Sequence, residues 1–545
     1  MKAILRDDGY IGLTFDYDKR TVEKVKQVFN DRRWRPDRKH WKIPLKELET
    51  LEEEFPQANV TKNLENEYKM TFDEEYRKQN IPDIEVKGFN GELYDFQKTG
   101  VNKMVNKGRL LLGDEMGTGK TIHSIATALK LKETKNINDF LIICPASLKQ
   151  QWKKEIEKFT DKKVTLIDGK PDERSEKWQE DSFFYIMNYA LLLNDEEPFQ
   201  KEWGGVVLDE ATYIKNPEAK RTQKVKQIKA KHKYGLSGTP VENTAEDIFS
   251  IVDFIDEDIF GNYWNFRDNY LQTQQNGYGG RSWTEIVGYK NLDDLYRNLK
   301  PIYLRRTKDE VLSDLPEKTE TVRTVNLTMK QRTAYNQYKQ IVYDKLEVEE
   351  HFMGEVIMAR MVCDHTELVN KSEADSSRHD NLSSSSSKMN ELEEIRDEVY
   401  ANNNKMLVFT NFKKMANIIQ KEEENVYKVT GDTKDKEKIL NEFKNDEEPA
   451  MLVATDAIQY GVNLQEANTV VHFDSPFNPS KIKQRNDRVH RLGQEKPVTV
   501  IKLIAENTIE ERVEKILEQK EDLSDAIVEG KGGMQLDAEL TARII

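Results

Sequence analysis

From Leu93 onward, short apolar runs alternate with longer segments whose apolar residues recur at helical spacing. The runs are Leu110 to Leu112, Phe140 to Cys144, Phe183 to Met187, Val206 to Leu208 and Tyr234 to Leu236. Apolar runs separated by helical segments predict the strands of a parallel sheet covered on both faces. A second set, Met406 to Phe409, Val426 to Val429, Met451 to Ala454, Val470 to Phe473 and Val498 to Ile504, predicts a second parallel sheet. Between the two, residues from about 245 to 400 read mainly helical, and Lys371 to Ser387 is a Ser-rich polar run expected to form a mobile loop. A last charged helix, Thr508 to Ser524, carries Ile509, Val513, Ile516 and Leu517 on one face. Residues 1 to about 60 read as a small α+β module, with strands around Tyr10 to Phe15 and Trp41 to Pro44 and helices at Lys19 to Phe29 and Leu45 to Phe55. The expected fold is α/β: a small α+β domain at 1–60, a charged linker at 61–90, a first lobe at 91–245, helical insertions at 246–400, a second lobe at 401–507 and a brace helix and tail at 508–545.

The loops expected at the carboxyl ends of the strands carry the candidate chemistry. Between a strand at Arg109 to Leu112 and a helix from Lys120 onward lies Gly113-Asp-Glu-Met-Gly-Thr-Gly-Lys-Thr121. A Gly-rich turn of this kind, with Gly117, Thr118 and Gly119 before a helix, aims backbone N–H groups at phosphate, and the helix dipole favours negative charge there. Lys120 then reaches the outer phosphates and Thr121 a Mg²⁺ ion. The Val206 to Leu208 strand delivers Asp209 to the metal, and Glu210 is placed to orient or deprotonate a water. Far along the chain, Gln484-Arg-Asn-Asp-Arg-Val-His-Arg491 puts Arg488 and Arg491 at i and i+3, on one face of a helix, where either serves as an arginine finger. Alone, each piece has a bland reading: a chance Gly-rich turn, with Asp114 where the general pattern opens on Gly, a solvated acidic strand end, a solvated helix face. Their order and spacing point to ATP held between two lobes.

The totals bound the rest. At 545 residues the chain exceeds what one core supports, so about three domains are expected. Charged residues make up 33%, no apolar run approaches bilayer length, and the opening Met-Lys-Ala-Ile-Leu-Arg-Asp-Asp turns charged too early for a signal peptide, so a cytoplasmic protein with no membrane partner is expected. Cys144 and Cys363 are too few for a disulfide framework or a Cys-based zinc site. A net charge of −14 argues against nucleic acid, yet Asp31 to Lys42 interleaves basic residues with Trp34 and Trp41, a composition suited to phosphate contact and base stacking. The tryptophans are expected in the core, and Arg32, Arg33, Arg35 and Lys39 on phosphate.

These features together resemble a Swi2/Snf2-type ATPase of helicase superfamily 2, over roughly Gly91 to Lys520. Leu93-Tyr-Asp-Phe-Gln97 is similar to the adenine-reading segment, with Gln97 on the base, and Asp114 to Thr121 resembles the family's own phosphate loop. Cys144-Pro-Ala-Ser-Leu148 with Gln151-Trp152 looks like the segment touching one DNA strand, which implicates Pro145, Ser147 and Trp152. Leu236-Ser-Gly-Thr-Pro-Val-Glu-Asn243 is similar to the motif coupling hydrolysis to DNA movement, and Leu304-Arg-Arg-Thr-Lys308 to a signature in the helical insertion. Ala454-Thr-Asp-Ala457 with Gly461-Val-Asn-Leu-Gln465, and Gln484 to Gln494, resemble the last two motifs, so Gly461 and Gln484 join the cofactor-binding set. Thr212 departs from the family's usual His, Ile458-Gln-Tyr460 from a Gly-rich stretch, and Asp364-His365 lacks a following proline and is assigned no metal. Phe15-Asp-Tyr-Asp, the Trp34 segment and His40-Trp-Lys-Ile-Pro-Leu45 resemble the HARP domain of annealing helicases, which implies recognition of forked DNA; the other reading is an accessory domain for protein partners.

The resemblance implies two RecA-like lobes and an ATP- and Mg²⁺-dependent motor that tracks double-stranded DNA by its phosphates and remodels or anneals branches. It implies no strand separation, because no wedge is evident. A second reading has the motor displace a DNA-bound protein such as a polymerase; a third is a scaffold that binds DNA without turnover, against which the full set of candidate residues stands. A monomer of bacterial or viral source is expected.

Overall fold

The structure, a computed structural model, describes all residues except 7–8, 37, 279–280, 313–314, 348–352, 370–384, 459–461 and 530–545. Two compact units emerge, one built chiefly from residues 1–307 and the other chiefly from 308–522.

The first unit begins with a five-stranded sheet in the order Arg33–Arg35, His40–Ile43, Ile11–Thr14, Lys2–Leu5 and Asn59–Val60. Its strands run antiparallel except the last pair. The helix Lys19–Val28 covers the sheet because Val25 and Phe29 fall on its apolar stripe beside Ile11, Leu13 and Ile43, and Asp18 caps it by accepting from the Thr21 amide at 2.9 Å. The stretch read as a linker departs from that reading. Its first part folds as the helix Lys62–Phe72, because Leu64, Tyr68 and Phe72 form an apolar stripe that packs into the same core.

The unit's main sheet has seven parallel strands in the order Tyr303–Leu304, Arg109–Leu112, Lys229–Leu236, Glu202–Asp209, Phe140–Cys144, Phe184–Asn188 and Val164–Leu166. The two edge strands, of two and three residues, are too short to leave a periodic signal. All the loops carrying candidate chemistry in this unit leave the sheet at its carboxyl edge. The region read as mainly helical also contains an antiparallel pair, Leu271–Tyr278 with Arg281–Tyr289.

In the second unit six strands, all parallel, run in the order Lys318–Val325, Val498–Ala505, Ala467–His472, Lys405–Phe409, Met451–Ala454 and Val426–Val429. Strand alternation sends Met406, Val408, Met451 and Val453 into one core and Leu407, Phe409, Leu452 and Ala454 into the other, so both faces are covered. The Ser-rich run lies mostly outside the described residues; at its end Ser386 caps the helix Ser387–Ala401 by accepting from the Met389 amide at 3.1 Å. Lys388, wholly buried, is held by Asp364 at 2.9 Å, Glu510 at 2.7 Å and the Phe473 carbonyl at 2.8 Å. Among the described residues no helix is long and apolar enough to cross a membrane, and Cys144 and Cys363 are free and buried.

Candidate nucleotide site

The phosphate-loop candidate leaves the strand Arg109–Leu112, second from one edge of the sheet, and ends at the helix Lys120–Lys135. Its glycines answer to space and dihedral. A Cβ on Gly113 would lie 2.3 Å from the Tyr303 ring, and one on Gly119, at φ 83°, would lie 2.8 Å from Gln97 Nε2. Gly117 also adopts a positive φ, 84°. Lys120 Nζ donates to the carbonyls of Asp114 at 2.6 Å and Glu115 at 3.0 Å, which holds the ammonium inside the loop. Thr118 is buried, and Thr121 is the second residue of the helix. Gln97 is buried beside Gly119, its Oε1 accepting from the Tyr94 amide at 3.1 Å.

Asp114, the residue that departs from a general phosphate loop, is fully buried and accepts from Arg306 through Nε at 3.0 Å and through Nη2. Arg306 also donates to the Phe96 carbonyl, tying the Gln97 helix to the loop. Arg306 was quoted only as part of a signature; a carboxylate at a buried loop position, needing a cation, is the signal that finds it. Behind the loop, His123 bonds the Gly119 carbonyl at 3.0 Å, and burial pushes its pKa down to about 4, with Asp114 opposing.

Asp209 ends the strand Glu202–Asp209 and Glu210 follows it, two positions along the sheet from the phosphate-loop strand with Lys229–Leu236 between. Asp209 Oδ2 accepts from Trp152 Nε1 at 2.7 Å, Oδ1 from the Glu210 amide at 3.0 Å, and its carbonyl from the Tyr189 hydroxyl at 2.8 Å. Burial raises the Asp209 pKa, and the Trp152 bond and the Lys120 charge oppose it. Glu210 sits in the left-handed region at φ 50°, a conformation costing about 1–3 kcal/mol, where the chain leaves the strand. The hard oxygen donors of Thr121 and Asp209 fit Mg²⁺, which uses one or two carboxylates with phosphate and water. Among the described residues no cluster of three or more His, Cys, Asp or Glu offers an all-protein metal cage.

The strand-touching segment is corrected in part. Ser147 is exposed, whereas Pro145 is buried and Trp152 is 2% exposed. Trp152 is an interior donor to Asp209 and presents no surface to a nucleic acid, because its apolar ring fills the space under the helix Lys149–Phe159.

The second unit holds the late arginines. The helix Pro479–Asn486 ends before them, so Arg488 and Arg491 occupy the turns that follow and do not share a helix face. Arg488 is buried and its carbonyl accepts from the Leu464 amide at 2.9 Å; Arg491 is half-buried. Gln484 is buried, and Arg485 bonds Asp456 at 2.7 Å and Asn411 at 2.8 Å. Burial opposes ionisation of Asp456, yet Arg485 and Lys481 hold its pKa below the usual carboxylate value. Lys308 bonds Asp487 and the His490 carbonyl, fixing the turn that carries the arginines. Gly461 lies outside the described residues.

The basic N-terminal segment forms the ribbon Arg33–Arg35 with His40–Ile43. Arg33, Arg35 at 3.2 Å and Lys42 at 2.8 Å all meet one carboxylate, Asp258, beyond the helix Glu246–Ile255, and Lys46 meets Asp294 at 2.6 Å. Arg33 and Arg35, expected on phosphate, pair with Asp258 while their side chains stay 46% and 43% exposed. Arg32 donates to the Phe29 carbonyl at 2.6 Å, and Lys39 is exposed at φ 49°. Of the two tryptophans expected in the core, Trp41 packs against it, whereas Trp34 is 48% exposed and stands against Trp41 with ring centres 5.3 Å apart, because alternation turns it away from the face bearing Arg33 and Arg35. A cleft of about 500 Å³ lies between module and lobe, lined by Tyr10, Arg32, Lys42, Asp258, Tyr270 and Arg297 among others.

Comparison with known proteins places this geometry. The SNF2-related domain matches residues 96–400, and the helicase conserved C-terminal domain residues 387–493. The chain is similar to the putative ATP-dependent helicase/translocase YwqA of Bacillus subtilis, at 30% identity over 83% of this chain and 50% of the relative. It is also similar to the ISWI chromatin-remodeling complex ATPase ISW1 of Saccharomyces cerevisiae, at 26% identity over 81% of this chain and 41% of the relative. The Sulfolobus solfataricus SWI2/SNF2 ATPase core in complex with dsDNA aligns at 28% identity and a TM-score of 0.41, over 84% of this chain and 97% of that one. The chain spans about half or less of the length of these curated relatives. With the SNF2-related domain covering more than half of its residues and the helicase C-terminal domain following, the chain belongs to the SNF2-related family of helicase superfamily 2 ATPases.

Proposed function

We propose that the chain is an ATP-dependent translocase on double-stranded DNA. The observation that carries this reading is the pairing, at one sheet edge, of a glycine loop ending in Lys120 with the buried Asp209 and with Glu210 at a left-handed backbone position. Lys120 exchanges its two carbonyl partners for phosphate oxygens, because a charge-assisted bond to an anion is about twice as strong as one to a neutral acceptor. Thr121 and Asp209 hold Mg²⁺, which neutralises charge on the phosphates. Glu210 orients the attacking water and takes its proton, Gln97 faces the base, and Arg488 or Arg491 meets the charge developing on the γ-phosphate. Gly117, Thr118 and Gly119 supply backbone donors; Gly461 and Gln484 complete the nucleotide set. Ser147 contacts DNA phosphate, so that movement is independent of sequence.

The output we favour is remodelling or annealing of branched DNA, with the N-terminal module as a HARP-like fork reader. Exposed Trp34, with Arg32 and Lys39, supports that assignment. A second reading, displacement of a DNA-bound protein such as a polymerase, draws on the similarity to an ATPase named for chromatin remodeling. The test is steady-state ATPase of the full chain and of a chain starting at Pro82, each with no DNA, single strand, blunt duplex and a fork. Duplex stimulation with a fork preference lost on truncation supports both parts. No stimulation of either chain by duplex rejects the translocase.

A further inference from the structure

We propose that Trp152 is a positioning residue for nucleotide hydrolysis, fixing through its indole N–H the carboxylate of Asp209. The inference deepens the ATPase reading and rests on it. Helix Lys149–Phe159 follows directly on strand Phe140–Cys144, whose Ile143 is in register with Leu208 of strand Glu202–Asp209. The first turns of that helix therefore stand beside the end of the strand bearing Asp209. Trp152 and Ile156, one turn apart, form the buried face of the helix, at 2% and 0% exposure. Ile156 only packs there. Trp152 also uses its polar atom, at 2.7 Å from Asp209 Oδ2.

The chemistry of that contact has one direction. An indole N–H donates and cannot accept, so its partner is a carboxylate oxygen presenting a lone pair. Oδ1 receives the Glu210 amide at 3.0 Å. Each oxygen thus has one fixed donor, which sets the carboxylate plane, and about half of its lone-pair sites remain for a cation or that cation's waters. Groups that orient a metal ligand from behind lower metal affinity or activity by about 10–100-fold when removed.

The test replaces Trp152 by Phe in the full chain, which keeps an aromatic ring and removes the donor. Two quantities are read: calorimetric affinity for Mg²⁺ in the presence of a non-hydrolysable ATP analogue, and kcat for ATP as a function of Mg²⁺ concentration. The expected result is Mg²⁺ affinity weakened about 10-fold or more and kcat restored only at correspondingly higher Mg²⁺, with affinity for the analogue without Mg²⁺ unchanged. Ile156→Ala, on the same face, should lower Tm and move neither. Where Trp152→Phe does not fold, Trp152→Leu carries the same expectations. A folded Trp152 variant with the parental Mg²⁺ affinity and Mg²⁺ dependence of kcat overturns the proposal, as does an Ile156→Ala variant showing the same shifts. A parent that neither binds Mg²⁺ with the analogue nor hydrolyses ATP removes the ATPase reading itself, a result distinct from either.

Discussion

Two basic segments of the first unit hold their cations in opposite ways. In the Gly113–Thr121 loop, Lys120 bonds the backbone carbonyls of Asp114 and Glu115, and its charge also acts on Asp209. In the N-terminal ribbon, Arg33, Arg35 and Lys42 converge on Asp258, a partner that already is an anion. The loop ammonium is held by the backbone of its own loop, whereas the ribbon's cations are held by a carboxylate far along the chain. Cationic composition alone does not distinguish these states; the identity of the acceptor does.

The largest effect expected lies on the loop side. Glu210→Gln should leave nucleotide binding intact and lower turnover by about 10²- to 10⁴-fold, the usual contribution of a general base. Equilibrium binding of an ATP analogue beside single-turnover hydrolysis checks this. Turnover at the parental rate would assign the water to another group, and the strained backbone at Glu210 would need another explanation.

A pH titration sharpens the contrast. His123, behind the loop, has its pKa depressed from 6.5 to about 4 by burial, so between those values the unfolded chain binds the extra proton. Stability of the Lys120–Lys135 helix is therefore full above about pH 6.5 and falls by about 3 kcal/mol as pH drops to about 4. At Asp258, burial raises the pKa but Lys42, Arg33 and Arg35 outweigh it, leaving the value below 3.8, so the ribbon's ion pairs persist through that window and fail only in stronger acid. Hydrogen exchange at pH 7 and pH 5 should show the Lys120 helix opening more readily at pH 5 with the ribbon unchanged. His123→Gln should abolish the difference, and its persistence in that variant would place the sensitive group elsewhere.

Asp258→Ala attacks the ribbon directly. Lys42, whose side chain is 6% exposed, would lose its carboxylate, and Asp258 is itself 18% exposed. The expected cost is about 2 kcal/mol of docking, below the ~3–5 kcal/mol of a fully buried pair. Limited proteolysis between residues 80 and 90 should accelerate. Freed arginines should also steepen the salt dependence of fork binding by about 2 in the log–log slope. Unchanged proteolysis and slope would mean that the ribbon's contact with Asp258 holds nothing in place.

Both parallel sheets were legible because their strands are apolar runs separated by helices, and Asp114 to Thr121, Asp209 and Glu210 fall at strand ends, where a parallel sheet puts its loops. What escaped the sequence was pairing between distant segments. Nothing local to Arg306 says that it meets Asp114, or local to Trp152 that its ring is buried with its N–H on Asp209. The linker helix at Lys62–Phe72 was hidden by its charges, since Leu64, Tyr68 and Phe72 make a narrow stripe. The helix end at Asn486 had no glycine or proline to mark it. In the ribbon, alternation predicts that Trp34 and its flanking arginines face opposite ways, but not which side the lobe covers.

That last point supplies the smallest and most discriminating substitution. Trp34 lies opposite the arginines, half-exposed, with Trp41 as its neighbour. If it only stabilises the ribbon, Trp34→Ala should cost up to about 1 kcal/mol, the range of a cross-strand aromatic pair, and leave stimulation by every DNA unchanged. If the exposed ring stacks on an unpaired base, stimulation by forked and single-stranded DNA should require about 5-fold more DNA, corresponding to about 1 kcal/mol, while the response to blunt duplex stays parental. Equal loss on fork and blunt duplex would exclude stacking, because a paired base offers the ring no open face. The ribbon's docking face and its outward face are then separable: Asp258→Ala reads the first, Trp34→Ala the second, and a fork reader requires the second to act while the first is still closed.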